Sequence, residues 1–132
     1  MLIVDDEQHL CWVLSKVLSD AGYRVRTASQ GREALRICAA EDVGVVILDY
    51  RLPDTNGIDL FQQLCSSRRS LVGLLITSYG SSQLQQAALD AGFLSYFNKP
   101  LIHQKLLECL ASIATPSAIP DQPVNPCNST SS

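Results

Sequence analysis

Apolar and polar positions follow two rhythms along this chain. Short, nearly unbroken aliphatic runs recur at residues 1–4, 43–48 and 70–76. Each reads as a strand buried on both faces, as in a parallel sheet. Residues 23–28 alternate instead, which predicts an edge strand with one wetter face. Residues 94–97 make a last short strand. Between these runs the spacing is helical. Over residues 8–21, Leu10, Val13, Leu14, Val17 and Leu18 share a face, and Gly22 supplies a left-handed stop. Trp12 falls off that stripe and is expected to be partly buried. Residues 31–40 bury Ala34, Ile37 and Cys38, and residues 57–68 bury Leu60, Phe61 and Leu64. Residues 81–91 carry Leu84, Ala87, Ala88 and Ala91 to a close at Gly92. Residues 102–114 turn Leu106, Leu107, Leu110 and Ile113 inward.

Five strand–helix units in strict alternation imply an α/β fold with right-handed crossovers and helices on both faces. The expected architecture is a doubly wound, five-stranded parallel sheet, a flavodoxin-like (βα)5 arrangement. All strands of such a sheet end on one side. The first, third, fourth and fifth end in chemically useful residues, and the second does not. The second therefore belongs at the edge beyond the first, giving the order 2-1-3-4-5.

Composition fits one packed unit. The chain has 132 residues, 46% hydrophobic and 17% charged, enough for a single core. From Thr115 the character changes: Pro116, Pro120, Pro123 and Pro126 interrupt a stretch rich in Ser, Thr and Asn. Residues 1–114 are thus expected as the domain and 115–132 as a disordered tail. A net charge of −3 offers no basic footprint for direct nucleic-acid binding. No apolar run spans a membrane, and the start lacks the basic region of a signal peptide. The five cysteines are widely spaced and four lie in predicted helices. They read as small apolar residues in a reducing cytoplasm. With no CxxC and no ligand-like spacing of His9 and His103, a zinc site is not expected.

The chemistry lies at the strand ends: Asp5 and Asp6 after the first, Asp49 after the third, Thr77 after the fourth, Lys99 after the fifth. Asp6 and Asp49 can bind a hard divalent cation, with Asp5 holding a metal-bound water; Mg2+ suits one or two carboxylates plus phosphate oxygens. Asp49 can then attack phosphorus and form an aspartyl phosphate. Lys99 can neutralise one phosphoryl oxygen and Thr77 can donate a hydrogen bond to another. In-line phosphoryl transfer needs little beyond this positioning and charge stabilisation.

Four motifs in this order resemble the receiver domains of two-component response regulators. They are Asp5-Asp6-Glu7, Asp49 with Leu52-Pro53-Asp54 and Gly57, Thr77-Ser78, and Lys99-Pro100. The resemblance covers about residues 1–114. It implies that Asp49 accepts a phosphoryl group from a phosphohistidine on a sensor histidine kinase. It implies that Asp5, Asp6, Asp49 and the Arg51 backbone carbonyl serve Mg2+, and that Ser78 and Lys99 stabilise the phosphoryl group. Tyr96 matches the family's switch aromatic, paired with Thr77. The Lys99–Pro100 peptide is expected to be cis. Phosphorylation would reshape the face formed by residues 81–114, for a partner or for a homodimer.

Two other functions compete. A haloacid-dehalogenase-type phosphatase also uses Mg2+ and an Asp nucleophile, but its D-x-D pattern would need an acid where Arg51 stands, and the chain has no room for a cap. A pseudo-receiver that only docks proteins usually loses a key residue, and here none is lost.

Overall fold

The computed structural model describes residues 1–67, 70–101 and 103–113. The expected tail from residue 115 lies outside the described residues. Strand β1 (Leu2–Val4) leads to helix α1 (Gln8–Asp20), then β2 (Arg26–Ala28), α2 (Gly31–Ala40), β3 (Val45–Asp49), α3 (Gly57–Ser67), β4 (Val72–Thr77), α4 (Ser82–Asp90), β5 (Ser95–Asn98) and α5 (His103–Ile113). All pairings are parallel, and the strand order is β2-β1-β3-β4-β5. The carboxyl ends of β1, β3, β4 and β5 therefore share one rim.

Alternation along each strand divides the core into two layers. Ile3, Ile47, Leu74 and Ile76 face one way and pack with Leu14 and Leu18 of α1 and Leu106 and Leu110 of α5. Leu2, Val4, Val46, Leu48 and Leu75 face the other way, against Ala34 and Ile37 of α2, Leu60, Phe61 and Leu64 of α3, and Ala88 of α4. Phe61 stacks on Phe93 at 4.3 Å between ring centroids. Gly73 makes room for Phe61: a Cβ there would lie 2.5 Å from the ring. Gly22 and Gly92 both adopt φ +99° just past a helix end, where a side chain would be strained.

Some expectations are corrected. The buried stripe of α1 is Cys11, Leu14 and Leu18, with Leu10, Val13 and Val17 only half-buried. Trp12 is 65% exposed, more open than expected. Strand β2 begins at Arg26 because β1 offers only three residues to pair with it. Helix α4 buries Ala88 alone, while Ala87 faces solvent. Of the cysteines, Cys11 and Cys38 are buried and Cys65 and Cys109 half-buried; Cys127 lies outside the described residues.

Candidate functional site

Asp5 is the anchor of the rim. Its N–H donates to the Ala28 carbonyl at 3.0 Å, so the edge strand fixes its backbone. Its Oδ1 accepts the Glu7 N–H at 2.9 Å, a turn that launches α1, and its carbonyl accepts the Cys11 thiol at 3.3 Å. Burial, with Asp5 beside it, pushes that thiol up to about 11, so it stays protonated. The remaining oxygen of Asp5, Oδ2, is buried without an aligned hydrogen-bond donor. Its counter-charge is the Lys99 ammonium at 2.9 Å, held as an ion pair.

Lys99 is aimed by its backbone, whose N–H donates to the Thr77 carbonyl at 2.8 Å. The Lys99–Pro100 peptide is cis. Nζ also lies 3.6 Å from Asp49 Oδ2 and 3.6 Å from Glu7 Oε1. Burial alone would lower the Lys99 pKa, but Asp5, Asp49 and Glu7 outweigh it and the ammonium is held above its ordinary value.

One ammonium does not balance this cluster. Asp5, Asp6 and Asp49 each bring a carboxylate oxygen within 4.8 Å of the others. Burial, followed by the charge of Asp5, pushes the Asp49 carboxyl up to about 6, against the pull of Lys99 and of an N–H bond from Arg51. Three converging carboxylates, hard oxygen donors throughout, facing a single ammonium fit a hard divalent cation such as Mg2+. Asp6 is exposed, so the cluster opens to solvent on its side.

Thr77 is buried at the end of β4, and its Oγ1 accepts the Tyr79 N–H at 3.0 Å, leaving its own hydroxyl proton available. Ser78 is exposed beside it. Tyr96 is half-buried, and its hydroxyl accepts the Ser81 N–H at 3.1 Å, at the mouth of α4. Gly80 is packed so tightly on Tyr96 and Asn98 that a Cβ would collide with both.

The structure thus brings together Asp5, Asp6, Asp49 and Lys99, with Thr77 at the neighbouring strand end. It also displays contacts that the sequence reading did not contain. The Arg51 guanidinium lies over the Tyr79 ring, 4.4 Å from its centroid. Gly57 lies against the Asp49 backbone, where a Cβ would be 2.7 Å from the Asp49 carbonyl oxygen. The Asp54 carboxylate reaches the start of α2. The one local signal for the last was an acid directly after Pro53 in the loop.

Known proteins are similar to this chain in sequence and fold. The family model described as response regulator receiver domain matches residues 1–111. The response regulator MprA of Mycolicibacterium vanbaalenii is 36% identical over 107 residues, 81% of this chain but 46% of that protein; the chain spans under half the length of this relative. A CheY-like receiver domain protein from Methanospirillum hungatei superposes with a TM-score of 0.82 at 27% identity, covering 90% of this chain and 95% of the other. A Burkholderia pseudomallei response regulator, solved with a phosphorylated aspartic acid, calcium ion and citrate, gives 0.77 at 26% identity, covering 92% and 74%.

Proposed function

Because the chain belongs to the response regulator receiver family, we propose that it is a signalling module that accepts a phosphoryl group on Asp49 from the phosphohistidine of a sensor histidine kinase. The observation that carries the proposal is the convergence of three carboxylates within 4.8 Å with one ammonium 3.6 Å from Asp49. The Burkholderia relative was solved with a phosphorylated aspartic acid and a calcium ion, which supports both the residue type and a divalent cation.

Asp49 is the nucleophile. Its carboxyl, pushed up to about 6, is mostly ionised at neutral pH. Its oxygen forms the new P–O bond as the P–N bond to the donor imidazole breaks, and the imidazole leaves with that electron pair and takes up a proton. Lys99 balances charge on the transferring phosphoryl oxygens. Thr77 donates a hydrogen bond from its hydroxyl to another of them, and Ser78 lies within the same turn. Asp5, Asp6 and Asp49, with the Arg51 backbone carbonyl, would hold Mg2+. When bound, that ion supplies positive charge to the three carboxylates and to the phosphoryl oxygens.

The donor must approach across the rim. A groove of about 490 Å³ lies beside Lys99, lined by His9, Leu10, Val13, Pro100 and Leu101 among others, and suits an apolar helix edge with polar flanks. Thr77 turning toward a phosphoryl group gives up its contact with the Tyr79 N–H, and Tyr96 responds through Ser81, reshaping residues 81–114 as a population shift. A cytoplasmic setting and homodimerisation through that face belong to the same reading. No helix among the described residues is long and apolar enough to cross a membrane.

The test is intact-mass analysis after incubation with acetyl phosphate and Mg2+. Wild type should gain one phosphoryl group and Asp49→Asn none. Equal labelling of the variant removes Asp49 from the mechanism.

A further inference from the structure

The loop between β3 and α3 is held at three points. At its base, the Gly57 N–H donates to the Tyr50 carbonyl at 2.8 Å, and Arg51 pairs with Asn56 in an antiparallel bridge. On its far rail, Asn56 Oδ1 accepts the Asp59 N–H at 2.9 Å and so caps α3. At its tip, where the Leu52 N–H donates to the Thr55 carbonyl at 3.1 Å, Asp54 leaves its own neighbourhood. Its Oδ1 accepts the Gly31 N–H at 2.7 Å and its Oδ2 accepts the Arg32 N–H at 2.9 Å.

A helix normally takes such a cap from the residue just before it. Here the residue at that position, Gln30, makes no side-chain cap. The carboxylate comes instead from 23 positions away. The contact is steric as well as polar: a Cβ on Gly31 would lie 2.6 Å from Thr55 Cγ2 and 3.3 Å from Asp54 Oδ1. The first two amides of α2 also bind the carboxylate well enough to hold it below the usual carboxylate range. Two charge-assisted bonds fix a carboxylate in both distance and angle. They therefore locate the loop tip on a rigid helix, beyond stabilising that helix.

We propose that Asp54 is a positioning residue for the acceptor site: by clamping the loop tip to α2, it fixes the backbone of Arg51 beside Asp49 and the Arg51 guanidinium against Tyr79. The inference rests on the phosphoacceptor reading above. Loss of the clamp frees the tip and leaves the loop held only at its base and along the Asn56 rail, with the Arg51 carbonyl no longer fixed from both sides where it and the Asp49 carboxylate must meet one cation together.

Glu33 provides the control. It also secures the start of α2, its Oε1 accepting the Ser29 N–H at 3.0 Å, yet it makes no contact with the loop in these bonds. The full chain is compared as wild type, Glu33→Ala, Asp54→Ala and Asp54→Asn. Mg2+ is titrated by Trp12 emission, and labelling by acetyl phosphate is timed at several Mg2+ concentrations. Asp54→Ala should weaken Mg2+ binding about tenfold, the scale of losing a residue that orients a ligand. Its labelling rate should return to within about twofold of wild type at saturating Mg2+, because affinity rather than chemistry has suffered. Asp54→Asn keeps one acceptor oxygen and should recover part of the affinity; it carries the test where Asp54→Ala does not fold. Glu33→Ala should bind Mg2+ like wild type. Equal losses in Glu33→Ala and the Asp54 variants would reduce the clamp to helix stability, and wild-type affinity in both Asp54 variants would remove it. A wild-type chain that binds no Mg2+ and takes no phosphoryl group overturns the functional reading itself, and this inference with it.

Discussion

The acceptor site should be a source of instability until a cation fills it, and Asp49→Asn should expose this. Asp49 is 10% exposed in its side chain and shares one ammonium with Asp5 and Glu7. Its carboxyl is pushed from 3.8 up to about 6, first by burial and then by the charge of Asp5. A carboxyl with a higher pKa in the folded chain than in the unfolded one holds its proton more tightly when folded. Its contribution is therefore most favourable below pH ~4 and is lost as the pH rises through about 6. Each tenfold change in proton affinity is worth about 1.4 kcal/mol, which sets an upper figure of about 3 kcal/mol at neutral pH. The charges of Asp5 and Lys99 act on Asp49 with opposite sign, so about 1–3 kcal/mol should reach the variant. Asparagine removes the charge, keeps the shape and can still accept the Arg51 N–H. Melting in EDTA at pH 7.5 should place Asp49→Asn several degrees above wild type. The two should converge near pH 4, where the wild-type carboxyl is protonated. Added Mg2+ should raise the wild-type Tm more than that of the variant. An Asp49→Asn chain that melts at or below wild type in EDTA, or a gap that persists at pH 4, refutes the reasoning.

Three further outcomes are expected. Arg51, two residues after the acceptor, stacks at 4.4 Å on Tyr79, two residues after Thr77, and the pair is expected to obstruct water on its way to phosphorus. Opening an exposed cation–π contact of about 0.5–1 kcal/mol should speed phosphate loss about two- to fivefold in an Arg51→Asn, Tyr79→Ala double variant; decay no faster than wild type counts against gating. Asp6→Ala should lose at least about tenfold in Mg2+ affinity, since it removes a carboxylate from the cluster; calorimetry giving equal affinities would exclude Asp6 as a ligand. Tyr96→Phe deletes the hydroxyl that accepts the Ser81 N–H and should cost about 1 kcal/mol in urea unfolding. With beryllofluoride, its amide shifts beyond Ser81 should be smaller than those of wild type, and full-sized shifts would show that the hydroxyl does not couple the two ends.

The rim was legible because it depends on local pattern. Strands 43–48 and 70–76 are aliphatic on both faces, so their burial, their parallel pairing and the direction of their ends follow together. Asp5, Asp6, Asp49, Thr77 and Lys99 could then be assigned to one edge without knowing any distance. Tertiary choices were not legible. Ala87 and Ala88 look alike in sequence, and only packing against β5 decides that Ala88 is inside and Ala87 outside. Small residues give α4 too weak an apolar stripe to orient it. The grip of Asp54 on α2 joins residues 23 positions apart, and no periodicity encodes it. The Arg51–Tyr79 stack likewise joins two loops that meet only once the sheet has formed.

Helix α4 is attached to its domain by very little. Ala88 is its one fully buried residue, whereas α1 on the other face inserts Cys11, Leu14 and Leu18. Burial of an alanine methyl contributes far less than burial of a leucine, so α4 should open at a small fraction of the global unfolding free energy. In amide hydrogen exchange its backbone should lose protection well before α1 or the central strands. A segment that can detach so cheaply needs only a small energetic signal to change place. Leu89 on this helix and Leu94 just after it lie open to solvent, at 48% and 51%. The domain thus keeps its rigid part under the chemistry and its soft part where a message would leave.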